Sequence, residues 1–122
     1  MSVQTEQNYP GDLVKYEAPF FYSRETHPVA YSQTLVVGSV CELDTGRMKA
    51  VATEANACAI CLENVTTPAN AYGSAVFLVR HAIVNKAMLG YNSQTASEVD
   101  AALKALGILV RAGLTYTNEG VY

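Results

Sequence analysis

From Thr34 onward the chain is a succession of short apolar runs, TLVV, SVCEL, MKAVAT, ACAICLENV and SAVFLVRHAIVN, none of them interrupted by the three-to-four residue spacing of a helix. Four turn signals separate these runs: Gly38, Asp44 to Gly46, TEAN at 53–56 and TTPANAYG at 66–73. Runs of strand length bounded by Gly, Pro, Asn and Asp clusters at this spacing describe a small barrel or sandwich. One segment departs from the pattern. In NSQTASEVDAALKALG, Thr95 and Glu98 have capping-box spacing, Val99, Ala102, Leu103 and Leu106 fall on one helical face, and Gly107 supplies a stop. ILVR and LTYTN, on either side of Gly113, are then expected as closing strands. The expected fold class is mainly β (α+β), a small β-barrel with one short C-terminal helix.

The first 31 residues look different. They hold Pro10, Pro19 and Pro28, three of the chain's four prolines, and sustain a period of neither 2 nor 3.6. They also hold Tyr9, Tyr16, Phe20, Phe21, Tyr22 and Tyr31, six of the chain's eleven aromatics, so they are no solubilising tail. The expectation is an extended aromatic arm over residues 1–31 and one β-rich domain over 32–122, because 122 residues leave no room for a second domain. The rings need a cover, and either the chain's own domain or another chain can provide it.

Composition excludes several classes of partner. A net charge of −3, with 8 basic against 11 acidic residues, gives no clustered basic face for a nucleic-acid backbone. The N-terminal MSVQTEQNYPGD has neither a basic region followed by an apolar run nor a spanning stretch, so synthesis in the cytosol and no membrane partner are expected. The three cysteines are odd in number and are expected as free thiols.

The triplet Asp44-Thr45-Gly46 is also the signature of aspartic proteases, whose homodimeric viral-type forms have chains of about this length. That chemistry needs two carboxylates sharing one proton. Arg47 would set a guanidinium beside the pair, and no glycine lies between Met48 and Tyr72 to build a flap hairpin. Asp and Gly flanking Thr suit a hairpin turn between VCEL and MKAV. Cys58-Ala59-Ile60-Cys61 has redox or zinc spacing, but on a strand an offset of three puts the sulfurs on opposite faces, so buried thiols without metal are expected. His81 is expected in a long strand beside Arg80, and His27 in the arm before Pro28; neither has a nucleophile and acid at triad spacing. No enzyme and no cofactor are expected.

The order of pieces in TLVVGSVCELDTGRMKAVA, ACAICLENV, SAVFLVRHAIVNKAML and SEVDAALKALGILVR resembles the lambda-like head decoration, or cement, proteins of tailed bacteriophages. The resemblance implies a β-tulip domain that assembles as a homotrimer on the outer surface of the expanded capsid, made in the host cytoplasm. It implies the major capsid (coat) protein as partner, with an N-terminal arm that orders against the coat lattice. Tyr16, Phe20, Phe21 and Tyr22 are then the expected capsid-binding residues. The aspartic protease and a small β-barrel binding module with a ligand in its mouth are the alternatives.

Overall fold

The computed structural model describes residues 13–17 and 23–112. Its centre is a closed barrel of five strands. These are β2 (Arg24–Val29), β4 (Val40–Asp44), β5 (Arg47–Ala50), β6 (Ala59–Cys61) and β8 (Gly73–Leu78), in the order β2-β5-β4-β6-β8. Beside it, β1 (Val14–Glu17), β9 (Ala82–Asn85) and β10 (Ile108–Arg111) form a three-stranded sheet in the order β1-β9-β10, with β10 parallel to β9. A two-stranded ribbon joins β3 (Thr34–Leu35) to β7 (Val65–Thr66), and a helix, α1 (Ala96–Lys104), precedes β10. The mainly β, barrel-forming fold with one short helix is the one expected.

The alternating pleat divides the apolar residues between two cores. Val29, Leu35, Cys41, Met48, Ala59, Cys61, Ala75 and Phe77 fill the barrel. Its small bore explains the Ala and Cys among them, since a barrel of few strands has room for little beyond one large side chain such as Phe77. The opposite faces of β4, β6 and β8 carry Val40, Ile60 and Leu78, which pack with Leu13, Val84, Val99, Leu103 and Ile108 in a second core under the helix and the small sheet. Strands buried on both faces read as unbroken apolar runs. ACAIC is such a run.

Two turns fix the barrel's shape. Asp44 pairs with Arg47 across the β4–β5 hairpin, and the two residues between them, Thr45 and Gly46, have φ of 51° and 84°. A two-residue loop with both central residues at positive φ is the turn whose twist matches the flanking strands. The triplet is therefore the hairpin turn expected from the sequence. At Gly38, φ is 100° and an added Cβ would lie 2.0 Å from the Met88 carbonyl oxygen. Its own amide bonds Cys61 and its carbonyl accepts from Gly90, so the strand crossing there admits no side chain.

Several expectations change. The described part of the 1–31 segment is strand rather than arm: β1 pairs with β9, and β2 closes the barrel along β8 from Arg24↔Leu78 to Val29↔Gly73. Leu13 is fully buried. Pro28 obscured this in the sequence, yet it is tolerated because β5 reaches β2 only at Val29, leaving most of that edge without demand for an N–H. The run SAVFLVRHAIVN is two strands, not one. The chain turns at His81, whose φ is 48°, and passes from the barrel to the small sheet. In α1, Val99 and Leu103 are buried as expected, but Leu106 lies beyond the helix and is 37% exposed. Thr95 caps the helix without a side-chain bond; its amide donates to Glu54 Oε2 instead, 3.1 Å away, so the reciprocal capping box does not form. Gly107, at φ 84°, ends the segment as expected. The strand expected in LTYTN lies outside the described residues.

Candidate functional site

Of the four expected binding residues, Tyr16 lies in β1 and is 55% exposed, while Phe20, Phe21 and Tyr22 lie outside the described residues. The geometry on either side of those three is well defined. Arg24 Nε donates to both carboxylate oxygens of Glu17 at 2.7 Å, which ties the end of β1 to the start of β2. Next to it the fully buried Ser23 donates from Oγ to the His81 carbonyl at 2.9 Å, and Val79 N donates to the Ser23 carbonyl. The end of β1 and the start of β2 thus share a fixed base. Tyr16 stands at that base as the register partner of Ile83, itself the partner of Leu109, so an apolar row crosses the small sheet on the face turned away from the second core.

Close by, Glu25 joins His27 and Arg80. His27 Nε2 lies 2.8 Å from Glu25 Oε1, and Arg80 donates to Glu25 Oε2. The Arg80 hydrogen bond, reinforced by His27, holds the Glu25 carboxyl below its ordinary range. His27 also meets Phe77 edge-on, with ring centroids 6.2 Å apart. His27 is therefore part of the barrel wall, not of an arm. Its neighbours include a carboxylate and a ring, with no hydroxyl or thiol nucleophile in hydrogen-bond contact among the described residues.

The cysteines cluster in the barrel. Cys41 and Cys61 are buried and Cys58 is half-buried; all three are free. Cys58 and Cys61 pack against the same core, contrary to the opposite-face expectation, because β6 begins at Ala59 and strict alternation does not reach Cys58. Cys61 Sγ donates to the Glu63 carbonyl at 3.0 Å, and Cys41 Sγ to the Ser39 carbonyl at 3.5 Å. Burial pushes all three thiols up from their ordinary value, which suppresses the nucleophilic thiolate. Among the described residues no group of three or more His, Cys, Asp or Glu is placed to hold a metal.

At the hairpin end of the barrel, Asp44 faces its register partner Arg47 with no second carboxylate in ion-pair or hydrogen-bond contact among the described residues. The feature that sequence reasoning missed is here. Tyr31 and Tyr72 stack at 4.2 Å with 15° between their planes, and the Arg47 guanidinium lies 3.9 Å over the Tyr72 ring. Hydrogen bonding to Tyr72 raises the Tyr31 hydroxyl above the ordinary tyrosine range, and Arg47 opposes that shift. No sequence signal joins residues 31, 47 and 72, since only the barrel's closure brings them together.

The fold and its surfaces thus define a binding or structural module: a closed barrel with exposed aromatic groups and buried, unreactive thiols. The family model for the bacteriophage lambda head decoration protein D matches residues 3–110, and the chain belongs to that family. It is a capsid decoration protein, a structural component associated with the phage head. No curated protein matches the chain.

Proposed function

We propose that the chain is a cement protein that binds the outside of the expanded phage head as a homotrimer and stabilises that lattice through contacts with the major coat protein. The observation that carries this reading is the family match over residues 3–110. The clamped base formed by Glu17, Arg24 and Ser23 supports it. The exposed ring of Tyr16 stands at that base.

The mechanism is linkage. A ligand that binds only one of two lattice states stabilises that state by its binding free energy, about 2.7 kcal/mol per site at a free concentration 100 times Kd. No bond is made or broken. Aromatic anchors suit the task because a large rigid ring removes much apolar area from water at small entropic cost. Subunits are made in the host cytoplasm and add to heads from outside.

The test is co-sedimentation of the full chain with purified heads before and after expansion, alongside light scattering of the free protein. Saturable binding to expanded heads and none to unexpanded ones is expected, with a mass of three chains. Equal binding to both kinds of head would remove the cementing mechanism, and a monomer on the head would remove the trimer.

A further inference from the structure

The stacked group at the hairpin end has the form of a receptor. Arg47 is the register partner of Asp44, and its guanidinium carbon lies 3.9 Å over the Tyr72 ring, which is stacked in turn on Tyr31. Gln33 steadies this arrangement by donating to the Tyr31 carbonyl at 3.3 Å and accepting from Ala50 N at 2.9 Å. Face-stacking occupies one side of the guanidinium and leaves its N–H edge for hydrogen bonds. Among the described residues that edge donates to the Thr45 carbonyl and hydroxyl oxygens, both at the long distance of 3.3 Å.

The contrast with other cations is informative. Arg24, Lys49, Arg80 and Lys86 each have a carboxylate in ion-pair contact, at Glu17, Glu42, Glu25 and Asp100. Among the described residues Arg47 has none, as is also true of Lys104 and Arg111, and Arg47 is held 3.9 Å over the Tyr72 ring. It borders a hollow of about 340 Å³ whose walls include Lys49, Asp44 and both tyrosines. Lys49 is paired with Glu42, so the positive charge at this hollow that has no carboxylate in ion-pair contact among the described residues is that of Arg47. Tyr31 and Tyr72 are 43% and 47% exposed, large rings left in water although they are already ordered by stacking.

We infer that Arg47, backed by Tyr72 and Tyr31, is a recognition site for a single carboxylate of a protein partner, an Asp or Glu side chain flanked by apolar residues. Charge complementarity selects an anion, and the planar edge of a guanidinium matches a carboxylate with two parallel hydrogen bonds. Asp44 at the rim opposes a multiply charged anion such as phosphate more than it opposes a singly charged carboxylate. The two ring surfaces on the same side offer apolar cover for the residues next to the acid. Tyr and Arg are also the residue types that concentrate binding energy at interfaces, and their order before binding reduces the entropy lost on docking. The site stands by itself; under the decoration reading, the carboxylate belongs to the coat protein.

The test is an NMR titration of the full chain with acetyl-Leu-Glu-Leu-amide, with its Gln analogue, and with inorganic phosphate at matched ionic strength. The Glu peptide is expected to shift the Arg47 Nε–H and the amides of Thr45 and Tyr72, and the Gln peptide to leave them in place. Arg47→Lys and Arg47→Gln should both weaken the Glu peptide by at least about tenfold, equivalent to 1.4 kcal/mol, because an ammonium keeps the charge but loses the stacked fork. Thermal melts of both variants check that the barrel is intact. Arg47→Lys binding as tightly as the parent would reduce the site to unspecific charge. Phosphate displacing the peptide at lower concentration would make it an inorganic anion site, and absence of shifts at these residues would end the proposal.

Discussion

Gly38 has no tolerance for a side chain. A Cβ there meets the Met88 carbonyl 2.0 Å away, and the backbone sits at φ 100°, so Gly38→Ala combines a backbone clash with a conformation alanine resists. A loss of about 3 kcal/mol or more is expected in urea unfolding. At Gly46, φ is 84° but nothing lies within 4 Å of the added carbon, so Gly46→Ala should cost less than half as much, a difference that separates clash from strain. The buried thiols carry a second prediction. Unfolded thiols titrate near 9.0, whereas burial holds Cys41 and its neighbours above that value in the fold. A raised folded pKa contributes stability that is fully present below the unfolded pKa and is lost as pH rises toward the folded one. The unfolding midpoint should therefore fall above about pH 9, and Cys41→Ala should lower the plateau while flattening that fall. At this scale the sequence was readable wherever chemistry is local. Asp44-Thr45-Gly46 announced its turn through residue type alone, whereas the Tyr31–Tyr72–Arg47 stack depends on barrel closure and left no trace in spacing.

Elements were legible where a strand is flanked by its own turn, as in β4 and β5, and where a helix carries its stop, as in α1 with Gly107. They were not legible where tertiary pairing overrides local pattern. RETHPV has a proline, charged residues and no clean alternation, yet β8 supplies a register partner for every one of its residues. Likewise, nothing in SAVFLVRHAIVN marks a corner, because His81 at φ 48° is held by what surrounds it: its carbonyl accepts from Ser23 Oγ, and Gly107 packs close to its ring. The pairing of β1 and β2 leads to a deletion test. A chain starting at Tyr31 loses a barrel strand along with Leu13 and Val29, both fully buried, and opens edges on β5 and β8. It should be unfolded or aggregated by circular dichroism and sizing. A chain starting at Leu13 keeps every described element and should melt cooperatively. A soluble, cooperative domain from the shorter chain would mean that β2 is dispensable to the barrel.

For the whole molecule, attachment must be argued from what the fold offers to a lattice. The barrel is well tied: both faces of the wall are packed at residues 40–42 and along β6, and the buried Glu42, on the outer face of β4, accepts from the amides of Ala52 and Thr53. Under the cement reading, the rings of Phe20, Phe21 and Tyr22 should act as anchors whose truncation costs about 2 to 4 kcal/mol each at the centre of an interface. In the proposed trimer three copies would amplify that loss, because each engaged subunit raises the effective concentration of the others, so release from the head should accelerate by far more than the single-site change. The Phe20→Ala, Phe21→Ala double variant is therefore expected to melt like the parent while washing off expanded heads within a sedimentation run. Arg24→Gln attacks the same attachment indirectly. It frees Glu17, leaves the rings in place and should weaken binding by less than the double variant, because the base is loosened while the anchors remain. The diagnostic quantity is the dissociation rate from washed, fully decorated heads, followed by pelleting over time. If the double variant dissociates at the parental rate while Arg24→Gln is fast, the clamp and the exposed Tyr16 row hold the head, and the rings between them do not.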